Sequence, residues 1–230
     1  MNRYRYHLLV ALCFVMLETA LYLVFMHAPT ESSMGQVQRI FYFHVASAWI
    51  SFLAFFVVCV AGIVFLKTAS PDWDRLAACS AELGVLFISM VLLTGPLWAK
   101  PVWNTWWSWD ARLTTSLVLW LIYVAYLMVR RYSTDPERGA RFAAVFGIIG
   151  FLDVPIVYLS IRWWRTLHPS AVIAGGEGSG LAPAMWTTLV VSLLAFTVLY
   201  ITLLTLTYRI KSLARRAQSA QQPSLRGPLA

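Results

Sequence analysis

Six long apolar runs alternate along the chain with short segments rich in charged, polar, glycine and proline residues. A helix needs about 20 mostly apolar residues to cross a bilayer, because lipid offers no partner to backbone groups left unpaired. The runs therefore predict six transmembrane helices, at about 7–27, 41–66, 76–97, 113–130, 142–160 and 184–208. Between them lie PTESSMGQVQR, KTASPDWDR, a tryptophan-rich stretch, RRYSTDPERGAR and RWWRTLHPSAVIAGGEGSG. The expected fold class is an all-α membrane protein with a single six-helix domain over 1–208. A basic, disordered tail is expected over 209–230. The first run follows two arginines, as in a signal peptide, but it is too long and lacks a small-x-small cleavage site. It reads as a retained anchor. No internal repeat is evident.

Composition agrees with this pattern. The chain is 60% hydrophobic and 12% charged, and soluble domains carry roughly twice that charged fraction. The net charge of +8 is spread over short clusters between the runs, so it speaks for membrane topology and not for a nucleic-acid partner. Thirteen of the 18 Lys and Arg residues fall in the N-terminus, the 67–75 and 130–141 segments and the tail; five fall on the other side. The positive-inside rule then places both termini in the cytoplasm. In a bacterial inner membrane the segment between the third and fourth spans would face the periplasm. Cys13, Cys59 and Cys79 form no C-x-x-C pair, which disfavours a dithiol site or covalent haem attachment through cysteine. A Walker-type phosphate loop is absent.

The outer segment, KPVWNTWWSWDARLTT, holds Trp103, Trp106, Trp107 and Trp109, followed by Asp110 and Arg112. Eight of the chain's 11 tryptophans fall on the outer side and one, Trp73, on the inner. An aromatic belt would populate both interfaces, so the asymmetry suggests a shelf for a large planar apolar ligand. The threading brings His44, one turn into the second span, and His168, in the last outer loop, to the same face. A porphyrin suits the shelf, and two neutral imidazoles can fill both axial positions of its iron. Asp110 also suits a helix N-cap for the fourth span. Arg112, and with it Lys100, is a candidate for ligand carboxylates, with pairing to Asp110 as the plainer reading.

These residues resemble the tryptophan-rich WWD signature of haem-handling membrane proteins, and in particular the CcmC-type proteins of bacterial cytochrome c maturation. The stretch FYFHVASAW, the six spans, the outer RTLHPS segment and the length fit as well, so the likeness covers most of the chain to about 208. Larger relatives, including haem–cytochrome ligases, continue W-D-P with an acidic residue; this chain continues with Ala111 and Arg112. Ala99 and Asn104 stand where many members would have glycine. The resemblance implies haem b, bound transiently and without a covalent bond, on the periplasmic face. His44 and His168 would be its axial ligands, with Trp103, Trp106, Trp107, Trp109 and Asp110 around it. The implied partners are a membrane-anchored periplasmic haem chaperone, the subunits of an ATP-binding cassette complex and a small membrane subunit.

Other polar residues carry less. His7 reads as interfacial, and His27 has only its outer location to recommend it. Glu18, Glu82 and Asp153 lie within spans, where charge is expensive, so interhelical hydrogen bonding is expected. Pro155 predicts a kink in the fifth span. Two competing functions remain at this stage: a haem–cytochrome c lyase, and an assembly subunit that uses its aromatic surface only to grip a partner.

Overall fold

The computed structural model describes residues 3–165, His168 and residues 181–221. Among the described residues there are seven α-helices: α1 (Arg3–Tyr22), α2 (Ile40–Thr68), α3 (Pro71–Trp103), α4 (Ala111–Tyr132), α5 (Pro136–Phe151), α6 (Asp153–Trp163) and α7 (Pro183–Gln221). Helix α1 runs on into a π-helical turn, Leu23–His27, and a 3₁₀ turn at Gln36–Arg39 leads into α2. Taken with these turns, and with α5 and α6 as one crossing, six helices are long and apolar enough to span a membrane. Each overlaps one of the expected spans.

Local chemistry explains where helices stop. Ala69 adopts a left-handed conformation (φ 53°) and donates its N–H to the Phe65 carbonyl at 2.7 Å, closing α2. Pro71 then opens α3, with Asp72 and Asp74 in its first turn, where the helix dipole favours negative charge. At the far end of α3, Asn104 takes φ 56°. Asparagine tolerates that region with little strain, which accounts for a position that glycine would also suit. Asp135 caps α5 by accepting from the Glu137 and Arg138 N–H groups.

Two boundaries differ from the sequence reading, at the ends of α3 and α7, and the kink expected in the fifth crossing is present. Helix α3 passes through Pro96 and Pro101 and ends at Trp103, so the first residues of the tryptophan-rich stretch are helical. The fifth crossing breaks at Leu152, three residues before Pro155, whose missing N–H cannot serve the Phe151 carbonyl. Helix α7 continues past 208 to Gln221, through residues expected to be disordered. Contacts with α3 brace the extension: Arg75 donates to Ser212 at 3.1 Å, and Lys211 pairs with Glu82 at 2.5 Å. Residues 222–230 lie outside the described set.

The core forms between α2, α3, α4 and α5. Phe55 stacks on Tyr123 with centroids 3.6 Å apart and planes 13° from parallel. Gly84 makes room for that ring: a Cβ there would sit 2.4 Å from Phe55 Cε1. Polar side chains in the core are spent on neighbouring helices. Ser80 donates to the Ala54 carbonyl and accepts from Tyr200 Oη, each at 2.7 Å, and Tyr123 donates to the Gly147 carbonyl at 2.9 Å. Helix α1 lies at the edge against α7, with most of its apolar side chains exposed.

Candidate functional site

One end of the bundle gathers the start of α2, the end of α3, the segment after it, the start of α4, Val157 of α6 and His168 around a recess. Its walls include His44, Trp98, Trp103, Trp107, Arg112 and His168. The two histidines come from segments far apart in the chain, as alternating threading requires. The recess is a narrow crevice of about 70 Å3.

His44 is 8% exposed, and its ring is fixed from two sides. Trp98 meets it edge-on, with centroids 6.0 Å apart. Its Nδ1 lies 2.9 Å from Thr94 Oγ1. The Thr94 hydroxyl proton is already directed to the Met90 carbonyl at 2.7 Å. Thr94 can therefore only accept from His44, which assigns the proton to Nδ1 and leaves the in-plane lone pair on Nε2. A ring nitrogen oriented by such a hydrogen bond is the usual form of a histidine metal ligand.

The aromatic residues divide into two sets. Trp98, Trp103 and Trp107 line the recess, with Trp98 and Trp103 6.2 Å apart. Trp106 and Trp109 do not line it; they are 57% and 76% exposed, as Trp163 and Trp164 also are by more than half. Trp109 packs edge-on against Trp107 at 5.6 Å, so it adjoins the recess from outside. Among the described residues, the indole N–H groups of Trp98 and Trp107 are buried without an acceptor. Each such donor costs about 1–3 kcal/mol, a cost that a ligand bearing acceptor atoms would relieve. Flat apolar walls, unpaired donors and an oriented imidazole fit a haem, although the walls must part to admit one.

The charged residues are tied into the scaffold. Asp110 caps α4: Oδ1 accepts from Leu113 N–H at 3.0 Å and Oδ2 from Ser108 Oγ at 2.9 Å. Arg112 Nη1 donates to the carbonyls of Val157 and Tyr158, at 2.9 and 3.2 Å, strapping α4 to α6. Lys100 reaches the side-chain oxygen of Asn104 at 2.9 Å and helps to close α3. Before the recess, Glu31 organises the turn after α1, accepting from Ser33 and Met34. The Ser33 hydroxyl and the Met34 N–H hold its carboxyl below the usual range.

The sequence reading did not single out Trp98 or Thr94 as site residues. Their signal was helical spacing: positions 94 and 98 share a face once α3 is known to continue to Trp103. On α2, His44, Ala48 and Ser51 repeat the same register along the wall.

A comparison with known proteins bears on this arrangement. The family model described as "CcmC: Heme exporter protein C" matches residues 2–223. Heme exporter protein C of Bradyrhizobium diazoefficiens is 38% identical over 194 residues, covering 84% of this chain and 74% of that protein. Heme exporter protein C of Escherichia coli strain K12 is 34% identical over 176 residues, covering 76% and 71%. A Marchantia polymorpha protein named as ccmC-like in mitochondrial cytochrome c biosynthesis is 37% identical over 171 residues, covering 74% and 72%. The family suggested by the tryptophan-rich segment is thus the one matched over nearly the whole chain, and the protein belongs to the CcmC family, heme exporter protein C.

Proposed function

We propose that this protein binds haem in the recess and presents it to a periplasmic, membrane-anchored haem chaperone for cytochrome c maturation. The observation that carries this reading is the meeting of His44 and His168 in one crevice walled by Trp98, Trp103 and Trp107. In it, Nε2 of His44 and an imidazole nitrogen of His168 serve as axial ligands. The indole N–H groups of Trp98 and Trp107 meet acceptor atoms of the bound molecule. Trp106 and Trp109 form the outer rim, and Asp110 and Arg112 hold the segment in register. Haem is cargo here: its iron supplies the bonds to the imidazoles, and the protein supplies orientation and a place from which release is feasible. Two axial bonds allow one to be exchanged for a partner's ligand while the other still holds.

The family membership supports a role as a subunit of a transport assembly with an ATP-binding cassette complex and a small membrane subunit, and not as a catalyst. The distribution of Lys and Arg supports a single membrane domain in the bacterial inner membrane, with both termini cytoplasmic and the recess periplasmic. An absorption spectrum of the detergent-purified protein tests the central claim. Low-spin, bis-imidazole haem is expected, with haem content falling at least tenfold in His44→Ala and in His168→Ala. Undiminished haem in both variants would overturn it.

A further inference from the structure

At the opposite end of the bundle, α3, α4 and α7 frame a second cavity of about 570 Å3. Its carboxylates are already taken. Asp74 is held by both nitrogens of the Arg130 fork, at 2.5 and 2.8 Å, and Glu82 by Lys211 at 2.5 Å. Arg75 is occupied by Asp72 at 2.8 Å and by Ser212 at 3.1 Å. Arg131 and Arg215 remain. Both line the cavity, and neither has an ion pair among the described residues. Both are exposed, and the guanidinium fork of each matches phosphate oxygens.

The surroundings narrow the source of that anion. Arg131 is in the last turn of α4, and the cavity also touches Pro71, the first residue of α3, so it lies where helices leave the apolar layer. Leu127 lines the cavity one turn deeper than Arg131, which gives it an apolar side. An amphipathic molecule with a phosphate head and acyl chains meets both requirements, and basic pockets between transmembrane helices favour such headgroups. The geometry points to a phosphate-binding site formed by Arg131 and Arg215, whose occupant is the headgroup of an anionic phospholipid. Asp74–Arg130 and Glu82–Lys211 serve as its frame. Haem chemistry at the other end plays no part in this assignment.

Native mass spectrometry of the full-length protein in detergent tests the site with phosphatidylglycerol and phosphatidylcholine at matched concentration. Preferential retention of phosphatidylglycerol, by roughly tenfold or more, is expected. Arg131→Gln combined with Arg215→Gln should abolish the preference. Arg131→Lys with Arg215→Lys should restore part of it, which separates loss of charge from misfolding. Arg138→Gln, at the same end but outside the cavity and paired with Asp135, should leave the preference unchanged. If inorganic phosphate alone raises the melting temperature through the same two arginines and no lipid preference appears, the anion site stands with a soluble occupant. Equal retention of both lipids without a phosphate effect, or full preference in the double Gln variant, would overturn the proposal.

Discussion

The two ends of the bundle use the same topological device for opposite purposes. At each, side chains from distant segments meet because alternating helices return to one plane. At the basic end, carboxylates and cations complete one another: Asp74 with Arg130, Glu82 with Lys211, Arg75 with Asp72. At the aromatic end, Arg112 is satisfied by backbone carbonyls and Asp110 by the Leu113 N–H and the Ser108 hydroxyl, while two buried indole donors are left without acceptors among the described residues. Satisfied polar groups brace a fold, whereas unsatisfied ones are a cost that binding can recover. The difference sets a framework of paired charges at one end against a recess with donors still to be met at the other.

The sharpest way to break this contrast is to remove the inner wall of the recess. Trp98→Ala deletes a buried ring that touches His44, Phe41 and Trp103. Loss of bound haem is expected, together with roughly 3–5 kcal/mol of stability, judged by soluble-core precedents; retained haem would mean that Trp98 is only packing. Gly84→Ala pushes on Phe55 and should cost about 1–3 kcal/mol in thermal unfolding while leaving the haem spectrum intact. Thr94→Val keeps the shape but removes the acceptor for His44 Nδ1–H. Haem affinity should fall about 10- to 100-fold and the reduction potential should shift, with little change in melting temperature. Trp106→Ala with Trp109→Ala should leave haem content unchanged and slow its transfer to the chaperone, read by the haem spectrum of the partner. The smallest effect concerns Glu31. Its carboxyl is held below the usual range, so the order it gives the turn is present above the ordinary carboxylate pKa. That order is lost only as pH falls through the lowered one. Hydrogen exchange at Ser33 and Met34 should stay slow at pH 5 in the native protein and become faster in Glu31→Gln.

Much of the frame could be read from apolar run length, since lipid imposes it: six crossings, and a shared end for His44, His168 and the tryptophans. Helix ends were harder. Pro101 looks like a stop in one dimension, yet α3 continues to Trp103, and that continuation puts Thr94 and Trp98 on the wall beside His44. The partition of the four clustered tryptophans was also hidden, because it depends on the loop after Asn104, whose left-handed turn cannot be read from aromatic content. Glu82 was expected to hydrogen-bond between helices, and it does so to a cation that was hidden, because Lys211 lies 129 residues away on an extension read as tail. Arg112 was left between two readings, and its actual partners are main-chain carbonyls of α6, which leave no mark in sequence. Such contacts are set by three-dimensional approach, not by local pattern.

The interruption at Leu152 has a mechanical consequence. It divides the fifth crossing into two rods, and the outer one, α6, is only about 16 Å long at 1.5 Å per residue. That short rod leads toward His168 and is fastened to its neighbour through Arg112. Through Arg112 this second rod is held in register with α4, and with it the piece of wall that Val157 lends the recess, so the break at Leu152 costs that wall none of its fixity.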